Sequence, residues 1–535
     1  MTMAKKNWKL LHKKPVDDLI GVLLANRGIT KEKDREEFLN PVSPQKIKAT
    51  DIGIDKKAIR MAVGRIKGAI KNGEQIIVYG DYDADGICAS AIIWEALDRL
   101  QAKAVPFIPD RFEDGYGLNI DQISKLKSKY DNLKLIITVD NGIVAYKAIK
   151  EAGKLGIDVI VTDHHTYDMK PKAHAVIHTT QTSGSGVAWF LAKELGFTDS
   201  LEIAAIGTVA DQLPLTGVNR SIVKHGLLEL ANTKRLGLKK LLMVCGLIGK
   251  EIGTYEVGFV IAPRINASGR IAQGIEALRL LCTRSRSRAE KLAKLLDELN
   301  RERQEIVDSS LKLAEGNFPK KPGNVIVMAH EEYHEGVIGL IAGKIVEKYY
   351  RPAVVLSLKG EVAKASARSI PGFNIIGAIR EIGDLIIEGG GHEMAAGFSI
   401  YTKNIEVFTE RIQEEAKPFF AEINVRREIK IDCKLDVSKV DVSLYNDVRK
   451  LEPFGIGNPT PVFLSKVKIS KVTNVGKTGN HKKMSIDSKK GDIAAIKFNS
   501  EDNIKKGDAG MVYRLSLNEW NGRKSVEMIV KDIKQ

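Results

Sequence analysis

Between residues 75 and about 215, short β-branched apolar runs alternate with amphipathic stretches. The runs are QIIVYG (75–80), LIITVDN (135–141), DVIVTDHH (158–165) and AVIHT (175–179). Apolar runs separated by helical segments mean strands buried on both faces and joined by crossover helices, hence an α/β fold built on a parallel sheet. Residues 216–315 read as mostly helical, and RAEKLAKLLDELNRERQEIVDSSLKLAEG (288–316) has the periodicity of a connecting helix that stops at Gly316. A second α/β unit begins at NVIVMAH (324–330), continues through AVVLSL (353–358) and ends near GGGHEMAAGFSI (389–400). Beyond residue 425 the texture changes to short alternating strands, KIDCKLD, VFLSKVKI, DIAAIKF and GMVYRLSL, separated by Gly, Asn and Lys turns. These predict an all-β module of about five strands, the size of a small barrel. Residues 1–70 read as polar and helical, with a break at Pro41 and Pro44.

Several classes are excluded. No run reaches the roughly 18 apolar residues that a membrane-spanning helix needs. The N-terminus, MTMAKKNWKLLHKK, is basic but has no apolar core, so no secretory signal is expected. Cys88, Cys245, Cys282 and Cys433 lie far apart with no CxxC, so neither a disulfide framework nor a zinc ribbon fits. The chain is expected to be cytoplasmic and reduced, with no membrane partner. Its 83 Lys and Arg against 67 Asp and Glu leave a charge of +16, a surplus that favours a polyanionic partner.

The strongest signal is positional. VYG runs into Asp81, Asp83 and Asp85 (DYDADG), IITV into Asp140-Asn141-Gly142, and VIVT into Asp163-His164-His165. A fourth apolar run, IAAIGTVA, ends in Asp211 and is expected to be another strand end. The C-terminal strand ends of an open parallel sheet line one crevice, so four segments would deliver carboxylates and imidazoles to one place. Uncompensated, such carboxylates repel and raise one another's pKa values. Carboxylate and imidazole ligands suit Mn²⁺, Mg²⁺ or Zn²⁺. Several carboxylates in one cleft form the ligand set for two ions that activate a water and clamp a phosphoryl group. Taken singly, Asp85 or Asp211 reads as a helix cap and a His-His pair as structural. Calcium is excluded, because position twelve counted from Asp81 is Ile92 rather than a bidentate Glu. GSG (184–186) lacks the third glycine of a dinucleotide fingerprint, which Trp189 replaces.

VYGDYDADG, TVDNG, VTDHH and GTVADQLPL resemble the four motifs of the DHH phosphoesterase superfamily, and GGGHEMAAGF resembles its C-terminal DHHA1 domain. RPAVV, KASARSIPGFNI, PRINASGR and LEPFGIGNPTPVF are similar to the RecJ branch, the last to the entry of its OB-fold domain. The resemblance covers roughly residues 70–500. It implies metal ligation by Asp83, Asp85, Asp140, His164 and Asp211, with Asp140 bridging two divalent ions, Mn²⁺ or Mg²⁺. His165 would face the scissile phosphate, and Asp81 and Asp163 would support the cluster. Ser90 and Cys88 are expected to pack rather than react. Tyr79 stands where small pyrophosphatase-like members carry histidine.

For the polymer, Gly389, Gly390 and Gly391 would let backbone amides approach a phosphate and His392 would donate to it; the plain alternative is a tight helix-entry turn. Arg111 could pair a phosphate and Tyr116 stack a base. Ser366, Arg368, Arg264, Asn266 and Arg270 match family positions facing the strand. Residues 426–535 hold 23 Lys and Arg against 14 Asp and Glu, and residues 460–490 hold eight lysines and one acid, Asp487. That charge suits a basic single-strand groove, with Phe463, His481, Phe498 and Trp520 as aromatics that serve either core or stacking.

The expected domains are a helical segment (1–70), a DHH domain (71–285), a connecting helix (286–318), a DHHA1 domain (319–424) and an OB-fold (425–535). By resemblance, the expected function is single-stranded-DNA-specific 5′→3′ exonuclease activity in recombination and repair. The enzyme is expected to act as a monomer, alongside single-strand-binding protein and a RecQ-type helicase. The alternatives are a phosphodiesterase for short oligoribonucleotides or cyclic dinucleotides, whose relatives lack the extra β module, and a non-catalytic DNA-binding relative, whose metal ligands would be lost.

Overall fold

The computed structural model describes the chain except residues 1–5, 112, 116, 320–321, 423–425, 477, 501 and 521–522. It divides into two compact units. One comprises Lys9–Asp297 and Lys430–Gln535; the other comprises Glu298–Ile429 with the N-terminal residues up to Trp8.

The N-terminal region is not wholly helical as the sequence suggests. It opens with a strand, β1 (Asn7–Leu10), before the helices Leu19–Ala25, Glu32–Leu39 and Lys56–Lys71. A parallel sheet follows: β2 (Gln75–Tyr79), β3 (Ala104–Phe107), β4 (Leu133–Val139), β5 (Asp158–Asp163) and β6 (Ala175–His178), in the order β3-β2-β4-β5-β6. Alternate side chains serve two cores, as a strand's period of two requires. Ile76, Val78, Leu135, Ile137 and Ile160 join the cluster under Lys56–Lys71, Ala84–Arg99, Gly184–Glu194 and Leu201–Ala210. Ile77, Tyr79, Ile136, Val159 and Val161 pack under Ile120–Lys129 and Tyr146–Lys154. The predicted α/β doubly covered sheet is therefore present.

One expected element differs. The run ending in Asp211 is a helix, Leu201–Ala210, with Asp211 as its C-cap residue. It is buried nearly all round, so its residues carry no amphipathic period and resemble a buried strand.

The helix Arg286–Gly316 links one unit to the other. In the second unit, β7 (Ile326–His330), β8 (Ala353–Lys359), β9 (Val362–Arg368), β10 (Ile386–His392) and β11 (Ala395–Tyr401) form a mixed sheet in the order β10-β11-β9-β8-β7. The GGGH segment is an exposed edge strand in a hairpin with β11, not a helix-entry turn. A short strand, β12 (Glu428–Ile431), pairs with β1.

The C-terminal module contains β13 (Cys433–Lys434), β14 (Phe463–Val475), β15 (His481–Ile486), β16 (Ile493–Lys497), β17 (Gly507–Trp520) and β18 (Arg523–Lys534). Pairing of β14 with β17 closes β14-β15-β16-β18-β17 into a five-stranded barrel, the predicted OB-type architecture, with β13 added beside β14. Its core also takes in Leu23, Leu24 and Phe38 from the N-terminal helices. Among the described residues, no helix is long and apolar enough to cross a membrane.

Candidate active site

The site is assembled at four chain corners of the first unit. Beyond β2, Asp81 Oδ1 accepts the Tyr82 amide at 2.8 Å. Asp83 caps the next helix, its Oδ1 accepting from the Asp85 and Gly86 amides at 2.9 and 3.0 Å. Asp85 points across to the start of Gly184–Glu194, where the Gly184 and Ser185 amides donate to its two oxygens at 2.7 and 3.0 Å. Beyond β4, Asp140 adopts a left-handed backbone, φ 62°, which an Asp tolerates at a cost of about 1 kcal/mol. The Asn141 side chain donates to the carbonyls of Tyr79 and Val139, tying the ends of β2 and β4 together. Beyond β5, Asp163 accepts from the amides of Ile143, His164 and His165.

Ligand atoms from these corners converge. Asp81, Asp83 and Asp140 form one group, Asp140, His164 and His165 a second, and Asp85, His164 and Asp211 a third, with the atoms of each group within 4.8 Å of one another. Asp140 and His164 each belong to two groups. His164 Nε2 lies 3.2 Å from Asp140 Oδ1 and 3.5 Å from Asp211 Oδ2. Asp140 Oδ1 and Asp211 Oδ2 are buried and accept no hydrogen bond. A buried carboxylate oxygen without a donor is costly, and a cation removes that cost. Burial, then repulsion from neighbouring carboxylates, pushes Asp85 up to about 6 and Asp211 up to about 8, and holds Asp81 and Asp140 well above the usual range. This donor set, hard oxygens with imidazole and excess negative charge, fits divalent ions of the Mn²⁺ or Mg²⁺ kind.

His165 is held differently. Its Nδ1–H donates to Asp163 Oδ1 at 2.8 Å, and its carbonyl accepts from His178 Nε2 at 2.8 Å. Burial opposes both charges of this pair, but their mutual hydrogen bond outweighs it. Asp163 falls below the carboxylate range and His165 rises to about 9, an imidazolium at neutral pH.

The cradle glycines were not legible as site residues. A Cβ on Gly184 would lie 2.2 Å from Asp140 Oδ1, and one on Gly207 2.3 Å from Asp85 Oδ1. The signal available was GSG directly after the N-cap Ser183, a helix start whose free amides suit an anion. Ser90 and Cys88 are buried, as expected. Tyr79 is buried, with its hydroxyl donating to the Gly117 carbonyl at 3.0 Å.

Around the first corner, Asn266 Oδ1 accepts the Ala84 amide at 2.9 Å, and the Arg111 guanidinium lies 5.1 Å from the Tyr82 ring centre. Arg270 is close enough to Tyr82 to act on its hydroxyl electrostatically. Arg264 is engaged by Asp297, at 2.8–2.9 Å, and donates to the Val260 carbonyl at 2.7 Å. Tyr116 lies outside the described residues. In the second unit, cross-strand register sets Ser366, Gly397 and Gly390 in one row and Arg368, Ala395 and His392 in the next. The small middle residues separate Ser366 and Arg368, whose guanidinium donates to Ser366 Oγ at 3.1 Å, from His392, and the next row of the same face holds Lys364, Ser399 and Glu388; Gly391 lies between the rows at φ 149°. Of the barrel aromatics, Phe463 is core, while Phe498 is half-exposed and packs edge-on against His481.

Three family models match the chain in order: the DHH family N-terminal domain at 75–210, the DHHA1 domain at 323–417 and the RecJ OB domain at 431–532. The single-stranded-DNA-specific exonuclease RecJ of Bacillus subtilis is 36% identical over 97% of this chain and 68% of its own length. Its counterpart from Escherichia coli is 30% identical over 96% of this chain and 95% of its own. The crystal structure of RecJ in complex with Mn²⁺ from Thermus thermophilus superposes with a TM-score of 0.85 at 29% identity, covering 99% of this chain and 79% of that one. Identity at this level over nearly the whole chain, with all three domains in order, places the protein in the RecJ family.

Proposed function

We propose that this chain is a metal-dependent exonuclease specific for single-stranded DNA, hydrolysing phosphodiester bonds from the 5′ end to release nucleoside monophosphates in recombination and repair. The observation that carries the reading is the convergence of Asp81, Asp83, Asp85, Asp140, His164 and Asp211 from four chain segments, with Asp140 shared between groups. Membership of a family whose curated relatives bear that activity in their names gives the substrate. Single-strand-binding protein and a RecQ-type helicase are the partners expected on the same family grounds, for an enzyme acting as a monomer. The matched segments support a division into DHH (71–285), DHHA1 (319–424) and OB (425–535) domains.

Asp83, Asp85, Asp140, His164 and Asp211 would hold two divalent ions, Mn²⁺ or Mg²⁺, which when bound supply Lewis acidity toward the phosphoryl group and lower the pKa of water. The chain's own groups do the rest. Asp81 and Asp163 hold their loops through backbone amides. His165, kept protonated by Asp163, presents a positive donor to a phosphate oxygen. Arg111, Asn266 and Arg270 gather at the loop that carries Asp81 to Asp85 and would orient the adjoining nucleotide, with Tyr116 as its stacking partner. In the second unit, Ser366, Arg368, Gly390, Gly391 and His392 form a phosphate-accepting face of donors and open backbone. The basic barrel would track the polyanion.

Asp140→Ala tests the reading. Turnover of a single-stranded oligonucleotide should fall by about 10³-fold or more, with binding affinity changed by no more than about twofold. Retained turnover would refute the site.

A further inference from the structure

A groove of about 840 Å³ runs along the outer edge of the catalytic sheet and contains none of the residues of the metal cluster. Its floor is the edge strand β3, with Val105, Pro106 and Phe107 half-exposed. One wall is a stripe of Ile120–Lys129, where Gln122, Lys125, Leu126 and Lys129 follow the spacing of a single helix face. The opposite wall is the corresponding stripe of Ile275–Cys282, namely Ile275, Leu278, Arg279 and Cys282, with Trp94 beside it. The rim carries Lys125, Lys129, Arg279, Arg284 and Arg288, all exposed; Arg284 pairs with Asp98 at 2.8 Å, Arg279 with Glu276, and Lys125 lies 4.0 Å from Asp114, so Lys129 and Arg288 contribute most of the rim's surplus charge.

An unpaired edge usually invites another strand, but this one is blocked. The bonds from Ile76 N–H to the Lys103 carbonyl and from Gly80 N–H to the Phe107 carbonyl turn Val105 and Phe107 toward β2. The outward groups therefore belong to Ala104 and Pro106. The Ala104 amide donates to the Ala102 carbonyl, the Ala104 carbonyl accepts from Trp94 Nε1 at 3.3 Å, and Pro106 has no amide proton. An occupant must bind through side chains. A trough walled by two helices, apolar at its base and cationic at its lip, matches a helix that is apolar along one face and acidic along its flanks. A phosphodiester backbone would satisfy the rim but leave the aliphatic and aromatic floor wet.

We propose that this groove docks an acidic amphipathic helix of a partner protein, on a face separate from the metal cluster. The full-length protein would be titrated into a fluorescently labelled synthetic helix bearing Leu at i, i+3, i+4 and i+7 and Glu on its flanks. A copy with Lys in place of Glu, a copy with Ser in place of Leu, and a single-stranded oligonucleotide competitor serve as comparisons. Anisotropy should show saturable binding of the Glu peptide only, weakened about tenfold or more by Lys129→Glu with Arg288→Glu and by Ile275→Glu. Circular dichroism melts check that each variant is folded. Both variants should degrade single-stranded DNA at the rate of the parent. Equal binding of the Lys peptide, or affinity unchanged in both folded variants, would overturn the proposal. Displacement of the peptide by the oligonucleotide would also overturn it and reassign the groove to nucleic acid.

Discussion

Asp140 is the residue on which the site turns. Its φ of 62° aims the carboxylate back into the crevice, and Gly184 leaves it the space to sit there. A methyl group at position 184 would displace either Asp140 or the amide that donates to Asp85. Gly184→Ala is therefore expected to reduce turnover about 10²-fold, while thermal unfolding shows a folded protein. Steady-state kinetics on a single-stranded oligonucleotide would check this, and parental turnover would show that the cradle has slack. The acidic and imidazole groups were legible from sequence, because each follows an apolar run directly. Gly184 and Gly207 were not, because a glycine's role here is the absence of a side chain facing a residue far away in sequence, Asp140 for Gly184 and Asp85 for Gly207. The ion pair of Arg264 with Asp297 is likewise a contact that local pattern does not reveal.

At the scale of the elements, three strand ends and one helix end bring together more negative charge than the protein alone neutralises. Asp85 and Asp211 are raised to about 6 and about 8, first by burial. A carboxyl whose folded pKa exceeds its unfolded value of roughly 4 favours folding while protonated. That stability is complete below the unfolded value and is lost as pH rises through the folded values. The chelator-treated protein should therefore lose Tm between about pH 5 and about pH 8.5, and Mn²⁺ should raise Tm more at about pH 8 than at about pH 6. Differential scanning fluorimetry across pH, with and without Mn²⁺, reads both trends; a Tm of the chelated protein that rises over this range would contradict the cluster's electrostatics. The strands themselves were readable because their alternation feeds two cores. The helix before Asp211 was not, since a helix buried on every side loses the period that distinguishes it from a strand.

At the scale of the first unit, one buried cation binds three distant stretches of chain. Arg220 is almost fully buried in Gly217–Ala231, donates to the carbonyls of Phe38 at 2.6 Å, Glu452 at 2.7 Å and Pro453 at 3.3 Å, and stacks 3.8 Å from the Phe38 ring. With Leu23, Leu24 and Phe38 in the barrel core, this makes the N-terminal helices a brace for the barrel, a partnership that segment-by-segment reading did not foresee. Arg220→Met would leave those carbonyls buried without donors, and should cost about 3 kcal/mol in denaturant unfolding. A loss below about 1 kcal/mol would mean that the joint is held by apolar packing alone. The central claim, however, concerns what the assembled molecule does. It is tested most directly by following a single-stranded oligonucleotide labelled separately at its 5′ and 3′ ends, with Mn²⁺, with Mg²⁺ and with EDTA. The account predicts early release of 5′-labelled mononucleotide, abolished by EDTA and absent on blunt duplex. Intact long DNA alongside rapid cleavage of dinucleotides or short RNA would contradict it.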